Sequence, residues 1–296
     1  MFERLMTSEY PKTVLLATDL SSRCDRALDR SLQLARRWNA RLVLVTVVEP
    51  EPAARESAVE APTWRRPPGR TSAVELQLRR DLQGCGHPIE VRVADGEPVA
   101  AILDVAKSEH ADLIVTGIAR DETFGRYLLG STVDRLAPQV EVPILIAKTR
   151  PRIYEEVLVG TDFSAYAANA LSTAARYFSF ARLTLLHGWQ VPFAGFLDKG
   201  EFREDWRAET LRASEAFVGQ AALSDEQRGG IKMLVEHGPP EMLIHAYMQD
   251  QGVDLVVVAA HSGKGVLDRR LGGTAKRILE TAPGDVLLVP QRASRA

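Results

Sequence analysis

The chain has 296 residues, room for two domains at roughly 100–200 residues each. Its 45% hydrophobic and 26% charged residues give a soluble globular balance, and a net charge of −2 argues against nucleic acid or an anionic membrane surface as a main partner. The N-terminal MFERLMTSEYPK carries Glu3, Arg4 and Glu9 and does not read as a signal peptide; no run approaches the ~18 apolar residues of a membrane span. Cys24 and Cys85 lack metal spacing, so free thiols in the cytoplasm are expected.

In chain order, TVLLATD (13–19) is a short apolar run ending in a polar turn, the pattern of a buried parallel strand. A helix follows over 21–38, with Leu28, Leu32 and Ala35 on one face and Ser21 or Ser22 able to cap it. RLVLVTVV (41–48) is a second strand. Residues 49–70, rich in Pro, Glu and Arg, read as a surface insertion. IEVRVADG (89–96) is a third strand, and Pro98 opens a helix where its missing N–H is not needed. DLIVTG (112–117) is a fourth strand; a glycine-containing turn and a helix at VDRLA precede a fifth, PILIA (143–147).

The same order then repeats. VLLATDLS (14–21) returns as VLVGTDFS (157–164), identical at five of eight positions, with Asp19 and Asp162 143 residues apart. ARLVLVTVV returns as ARLTLLHGW (181–189), ADLIVTG as VDLVVVA (253–259), and VPILIAK (142–148) as DVLLVPQ (285–291). Ser164 precedes a helix over AYAANALSTAARYF, and Pro240 opens another. The stretch 191–210 corresponds to the first-half insertion, is more aromatic and is expected to pack locally. This period is too long for a solenoid; it marks a duplicated domain, divided at 1–150 and 151–296. Alternating strand and helix predict, in each half, an open parallel five-stranded sheet with helices on both faces.

Ligands of such sheets bind beyond the carboxyl ends of the strands. Asp19 and Asp162, with Thr18 and Thr161 before them, stand at the end of each half's first strand. No G-x-G-x-x-G is present there, and a carboxylate would repel phosphate while suiting a sugar hydroxyl or an exocyclic amine. Each Asp either shapes its turn or reads a ligand, and the recurrence favours a ligand. Phosphate candidates follow the fourth strands: Gly117 with Gly130, Ser131 and Thr132 in the first half, and Gly272, Gly273 and Thr274 in the second, where glycines and free helix-start N–H groups can approach an anion.

The T-D-x-S strand end, the DLIVTG strand, the glycine turn and the closing PILIAK strand together resemble the universal stress protein family, over about 12–149 and 153–292. The resemblance implies two tandem adenine-nucleotide α-hydrolase-like domains. Family members are often dimers joined through the last strand, and many bind ATP through G-2X-G-9X-G-(S/T). Neither copy keeps that motif whole. Gly117, Gly130 and Ser131 match, but Arg120 replaces the second glycine. In the second half the four places fall on Ala259, Ser262, Gly272 and Gly273; a one-residue shift gives Ala260, Gly263, Gly273 and Thr274. Arg120 carries a Cβ where a positive φ would be strained, yet its guanidinium could grip a phosphate. By the same resemblance, adenine would meet Asp19 or Asp162 and the main chain near Val47 or Gly188. The implied cofactor is ATP, with or without Mg, in at least one half.

No nucleophilic elbow, Walker loop or H-E-x-x-H pair is visible, so at most slow ATP hydrolysis is expected. His187 and His237 lie at second-half strand ends as a weak metal pair. A response-regulator receiver lacks its acidic pair at the first strand. The duplication predicts a pseudo-dimer in one chain, its closing strands pairing antiparallel and burying Ile144, Ile146, Leu287 and Val289. The expected role is a cytoplasmic ATP-binding stress regulator with a protein partner, and a further homodimer stays open. The alternative is a nucleotide-free interaction protein of the same fold.

Overall fold

The structure is a computed structural model that describes residues 10–19, 25–48, 70–120, 127–128, 131–189, 201–260 and 271–290. The first half contains β1 (Thr13–Ala17), α1 (Asp25–Trp38), β2 (Arg41–Val48), α2 (Arg70–Asp81), β3 (Ile89–Asp95), α3 (Pro98–Ser108), β4 (Leu113–Gly117), the short pair β5 (Ala119–Arg120) and β6 (Tyr127–Leu128), α4 (Ser131–Leu136) and β7 (Ile144–Ala147). The second contains β8 (Glu156–Gly160), α5 (Ala165–Tyr177), β9 (Arg182–Trp189), α6 (Glu201–Gln220), α7 (Asp225–Gly230), β10 (Lys232–His237), α8 (Pro240–Gln251), β11 (Leu255–Ala259), α9 (Gly273–Thr281) and β12 (Asp285–Val289).

All main strands join one ten-stranded sheet, ordered β10-β9-β8-β11-β12-β7-β4-β1-β2-β3. Each half supplies five parallel strands, with β1 or β8 in the centre of its half. At the seam β7 and β12 run antiparallel, Leu145 facing Leu287, with Ile146 opposite Val286 and Ile144 opposite Leu288. The expected seam is therefore present: Ile144, Ile146 and Leu287 are 0% exposed and Val289 2%. Pairing the two closing strands removes two sheet edges that would otherwise offer unpaired backbone groups.

The sheet divides the core in two. One apolar layer lies under α1 and α5 and includes Leu16, Leu145, Val157, Leu287 and Phe178; the other lies under α3, α8 and α9 and includes Ile114, Ile146, Ile244, Val256 and Ile278. Both layers cross the seam. On the first face Trp38 of α1 packs on Tyr177 and Phe178 of the second half, with ring centroids 5.7 and 5.9 Å apart, and its indole N–H donates to the Tyr177 carbonyl at 3.1 Å.

A buried polar cluster closes the seam below Trp38. The Asp285 Oδ1 accepts from the Lys148 and Thr149 backbone N–H groups at 2.8 and 3.0 Å and from the Thr149 hydroxyl at 3.0 Å. Its Oδ2 accepts from the Tyr154 hydroxyl at 2.6 Å and lies 2.8 Å from Arg30 Nε. That contact is an ion pair with the Nε–H out of line for a hydrogen bond. Arg30 also lies over the Tyr154 ring, 4.2 Å from its centroid. Lys148 Nζ donates to the Leu279 and Ala282 carbonyls at the end of α9. Such a set holds buried charges only because nearly every polar atom has a partner.

Three helices, α2, α6 and the six-residue α7, are absent from the sequence reading, and the two longer ones are informative. Residues 191–210 were expected to pack locally without a helix assigned, but α6 begins at Glu201 and runs 20 residues, placing Phe217 and Val218 in the core. The insertion lies outside the described residues apart from Arg70, which opens α2. Both helices have weakly segregated apolar faces, so periodicity does not reveal them.

Candidate functional site

The first-strand turn of the second half is built from its own side chains. Thr161 N–H donates to the Leu186 carbonyl at 3.0 Å, tying the turn to β9. Thr161 Oγ1 accepts from the Phe163 N–H at 2.9 Å, Asp162 Oδ1 from the Ser164 N–H at 3.0 Å, and Ser164 Oγ from the Ala167 N–H at 3.2 Å as the N-cap of α5. These bonds hold Phe163 at a φ of 61°, in the left-handed region a non-glycine residue adopts only when over-determined. Phe163 stacks on the His187 ring at 4.3 Å, and His187 Nδ1 lies 2.9 Å from the Thr161 carbonyl. A carbonyl only accepts, so Nδ1 carries the proton. Asp162 thus both shapes the turn, through Oδ1, and stays exposed at the strand end.

Beside this turn lies a cleft of about 150 Å³. Thr161, Asp162, Gly188, Ala259, Gly272 and Thr274 line it together, over a floor that includes Leu186, Ile244 and Val258. Its width depends on missing side chains. A Cβ on Gly188 would meet the Leu243 Cδ1 at 3.0 Å and the Gly238 carbonyl and Pro240 Cα at 3.1 Å; one on Gly160 would meet Val258 Cγ1 at 3.0 Å. Across the cleft, the Gly272 N–H donates to the Ala260 carbonyl at 2.9 Å, and Gly272 caps α9 with no side-chain hydrogen bond. As the first residues of α9, Gly273 and Thr274 have no intrahelical partner for their N–H groups, which suits them to water or an anion.

Of the residues expected to contact nucleotide in this half, the structure therefore brings together Thr161, Asp162, Gly188, Ala259, Gly272 and Thr274, with Gly273 opening α9 next to them. Ser262 lies outside the described residues, as does Gly263 of the one-residue shift. Gly160, Ala167 and Pro240 also line the cleft and were not anticipated. For Gly160 a signal existed: it replaces Ala17 in an otherwise matching repeat. His187 stacks on Phe163, while His237 packs edge-on against Trp189 at 4.8 Å; among the described residues no group of three or more His, Cys, Asp or Glu side chains is placed to hold a metal ion.

The first half repeats the scaffold with different linings. Thr18 N–H donates to the Val45 carbonyl at 3.0 Å, as Thr161 does in its half, and Asp19 is exposed at the strand end. By strand register Val47 occupies the place of Gly188 and Ala17 that of Gly160. Beyond Gly117, Arg120 was expected at a phosphate-turn glycine position, but its backbone pairs with Tyr127 in the two-stranded β5–β6 ladder. The chain there forms a strand rather than an open loop. Gly130 lies outside the described residues; Ser131 and Thr132 open α4, which has only six residues against nine in α9.

Comparison with known proteins gives the family and the fold. The model of the universal stress protein family matches twice, over residues 11–148 and 153–290. The universal stress protein Rv2319c of Mycobacterium tuberculosis is 31% identical over 285 residues, covering 89% of this chain and 94% of that one. A second protein of that species, universal stress protein MT1672, is 30% identical over 142 residues, 47% of this chain and 97% of its own. Among solved structures, a universal stress protein from Archaeoglobus fulgidus superposes with a TM-score of 0.67 at 20% identity, covering 95% of this chain and 99% of that one, which speaks to the fold. With two complete matches along one continuous sheet, the chain belongs to the universal stress protein family as a tandem, two-domain member.

Proposed function

We propose that this protein binds ATP, with or without Mg, in its C-terminal half and reports occupancy to a protein partner as a cytoplasmic stress regulator, hydrolysing ATP slowly at most. The division of labour follows domain limits of 1–150 and 151–296. The observation that carries the reading is the second-half cleft, where the Asp162 carboxylate, the side-chain-free backbone at Gly188 and the open α9 N-terminus line one space. An acceptor at one end suits the adenine amine or ribose hydroxyls, and unsatisfied N–H groups at the other suit phosphate. No helix among the described residues is long and apolar enough to cross a membrane.

Titration calorimetry of Mg–ATP into the nucleotide-free chain tests this. Wild type and Asp19→Ala should bind alike, while Asp162→Ala loses about tenfold or more, the scale of one hydrogen bond to a charged group. Absence of heat at millimolar ATP would reject the reading. The alternative, a nucleotide-free interaction protein, draws support from the first half, where Val47 and the β5–β6 pairing occupy the equivalent positions.

A further inference from the structure

A second cavity lies apart from the proposed nucleotide cleft. A groove of about 570 Å³ runs along α1 where it meets the interdomain segment 151–154 and Phe180 of the second half. It shares no lining residue with the cleft. Leu32, Pro151, Ile153, Tyr154 and Phe180 make its apolar surface, and Ile153 is 59% exposed there. Volumes of 300–1,000 Å³ with apolar walls and few polar groups are typical of small-molecule sites.

The polar groups are ordered along α1. Asp29 stands near the helix start, Gln33 one turn on, and Arg36 and Arg37 in the last turn. Gln33 Oε1 accepts from Arg30, which leaves its amide N–H groups to donate. Arg36 donates to the Cys85 carbonyl. Arg37 differs: its guanidinium lies over the Phe180 ring, 3.4 Å from the centroid, and pairs with no carboxylate among the described residues. Stacking on the ring fixes the guanidinium while no described carboxylate takes its N–H groups, so little side-chain freedom remains to be lost on binding an anion. Asp29 opposes an anion at the far end, which sets the direction of any elongated ligand.

We propose that this groove binds an amphipathic carboxylate, its apolar body over Leu32, Ile153 and Phe180 and its head group on Arg37. The charge sign and the apolar wall are both required: a free phosphate has no use for the wall, and a cationic amphiphile meets Arg37 unfavourably.

Calorimetric titration of dodecanoate, below its micelle concentration, into the full chain tests the proposal, with dodecyltrimethylammonium as the charge control. One dodecanoate should bind per chain, and the cation should not. Arg37→Gln and Ile153→Asp should each weaken binding at least tenfold, and Asp162→Ala should leave it unchanged. Both substituted groove residues are solvent-exposed, so unchanged melting temperatures are expected and are measured alongside. The proposal is overturned by absence of saturable dodecanoate binding, by equal binding of the cation, or by wild-type affinity in both groove variants. Concentration-dependent self-association abolished by Ile153→Asp would also overturn it, assigning the groove to a second copy of the chain.

Discussion

The two halves share a strand order and a T-D strand end, yet among the described residues those strand ends are lined differently. The difference lies in a few side chains on a common backbone. Gly160 and Gly188 leave space at the ends of β8 and β9 where Ala17 and Val47 stand in the other half. A nine-residue helix follows the second-half glycine turn and a six-residue one the first. A duplicated fold can thus retain its sheet while one copy's ligand end changes, because the core depends on strand interiors and the site depends on strand ends.

The halves also differ at the seam. By register Asp285 corresponds to Pro143, so the buried carboxylate has no twin across the pseudo-two-fold. Asp285→Ala should be the most damaging single change considered, because it strands Arg30 and the Tyr154 hydroxyl in a dry interior. A loss of about 3–5 kcal/mol is expected from breaking a buried pair. Chemical denaturation measures it, and a loss below about 1 kcal/mol would show that the cluster does not hold the halves together.

Importing the first half's lining into the second gives the next largest effect. Gly188→Val places carbons about 3 Å from the Gly238 carbonyl and the Pro240 Cα, backbone atoms that cannot step aside cheaply. Mg–ATP affinity should fall more than 100-fold, with a stability loss of about 1–3 kcal/mol. Gly188→Ala, with one carbon, should lie between. Unchanged affinity in the Val variant would mean that nucleotide does not use this cleft.

Much of this comparison was legible beforehand. The repeat, the parallel order and the two Asp turns follow from apolar strand runs and matched landmarks, which are local signals, while the β7–β12 seam was expected from the family resemblance together with the duplication. The Arg30–Asp285–Tyr154–Lys148 cluster was not legible: its members lie up to 255 residues apart, and no spacing rule links them. Nor did the glycine pattern reveal that the chain at Arg120 pairs as a strand, since two-residue ladders depend on tertiary context more than on propensity. Asp162 shows the intermediate case. Its type and position were readable, but its double use, with one oxygen in the turn and the carboxylate at the cleft, needed coordinates.

Lys148 offers a pH-dependent test of the same asymmetry. Burial lowers it from the ordinary 10.5 to about 7, with Asp285 and Glu280 opposing. Between those values the unfolded chain binds more protons than the folded one, so stability rises with pH from about 7 upward. Below about 7 both states are protonated and the cost of burying the charge is complete. The gain from pH 7 to 9 should be about 2 kcal/mol, at 1.36 kcal/mol per pH unit once the lysine is mostly neutral. Lys148→Met should flatten that slope in denaturation curves. An equal slope in both proteins would place the charge elsewhere.

The smallest effect sits on the pseudo-two-fold itself. Leu145 faces Leu287, its own counterpart, so the axis passes through that pair. Asp134 and Lys276 are counterparts as well, at the fourth positions of α4 and α9, and they meet at 3.1 Å. In a symmetric dimer this place would bring two like charges together; divergence of the halves supplies opposite ones. Both groups are 43% exposed, so the attraction itself is worth about 0.2–1 kcal/mol. Lys276→Asp should cost somewhat more than Lys276→Ala, because repulsion replaces attraction, and adding Asp134→Lys should recover most of the loss. The interaction term of that cycle, measured at low and at high salt, separates charge from packing. A term that salt does not reduce would assign the contact to packing, and the charge difference between the halves would then have no part in how they pair.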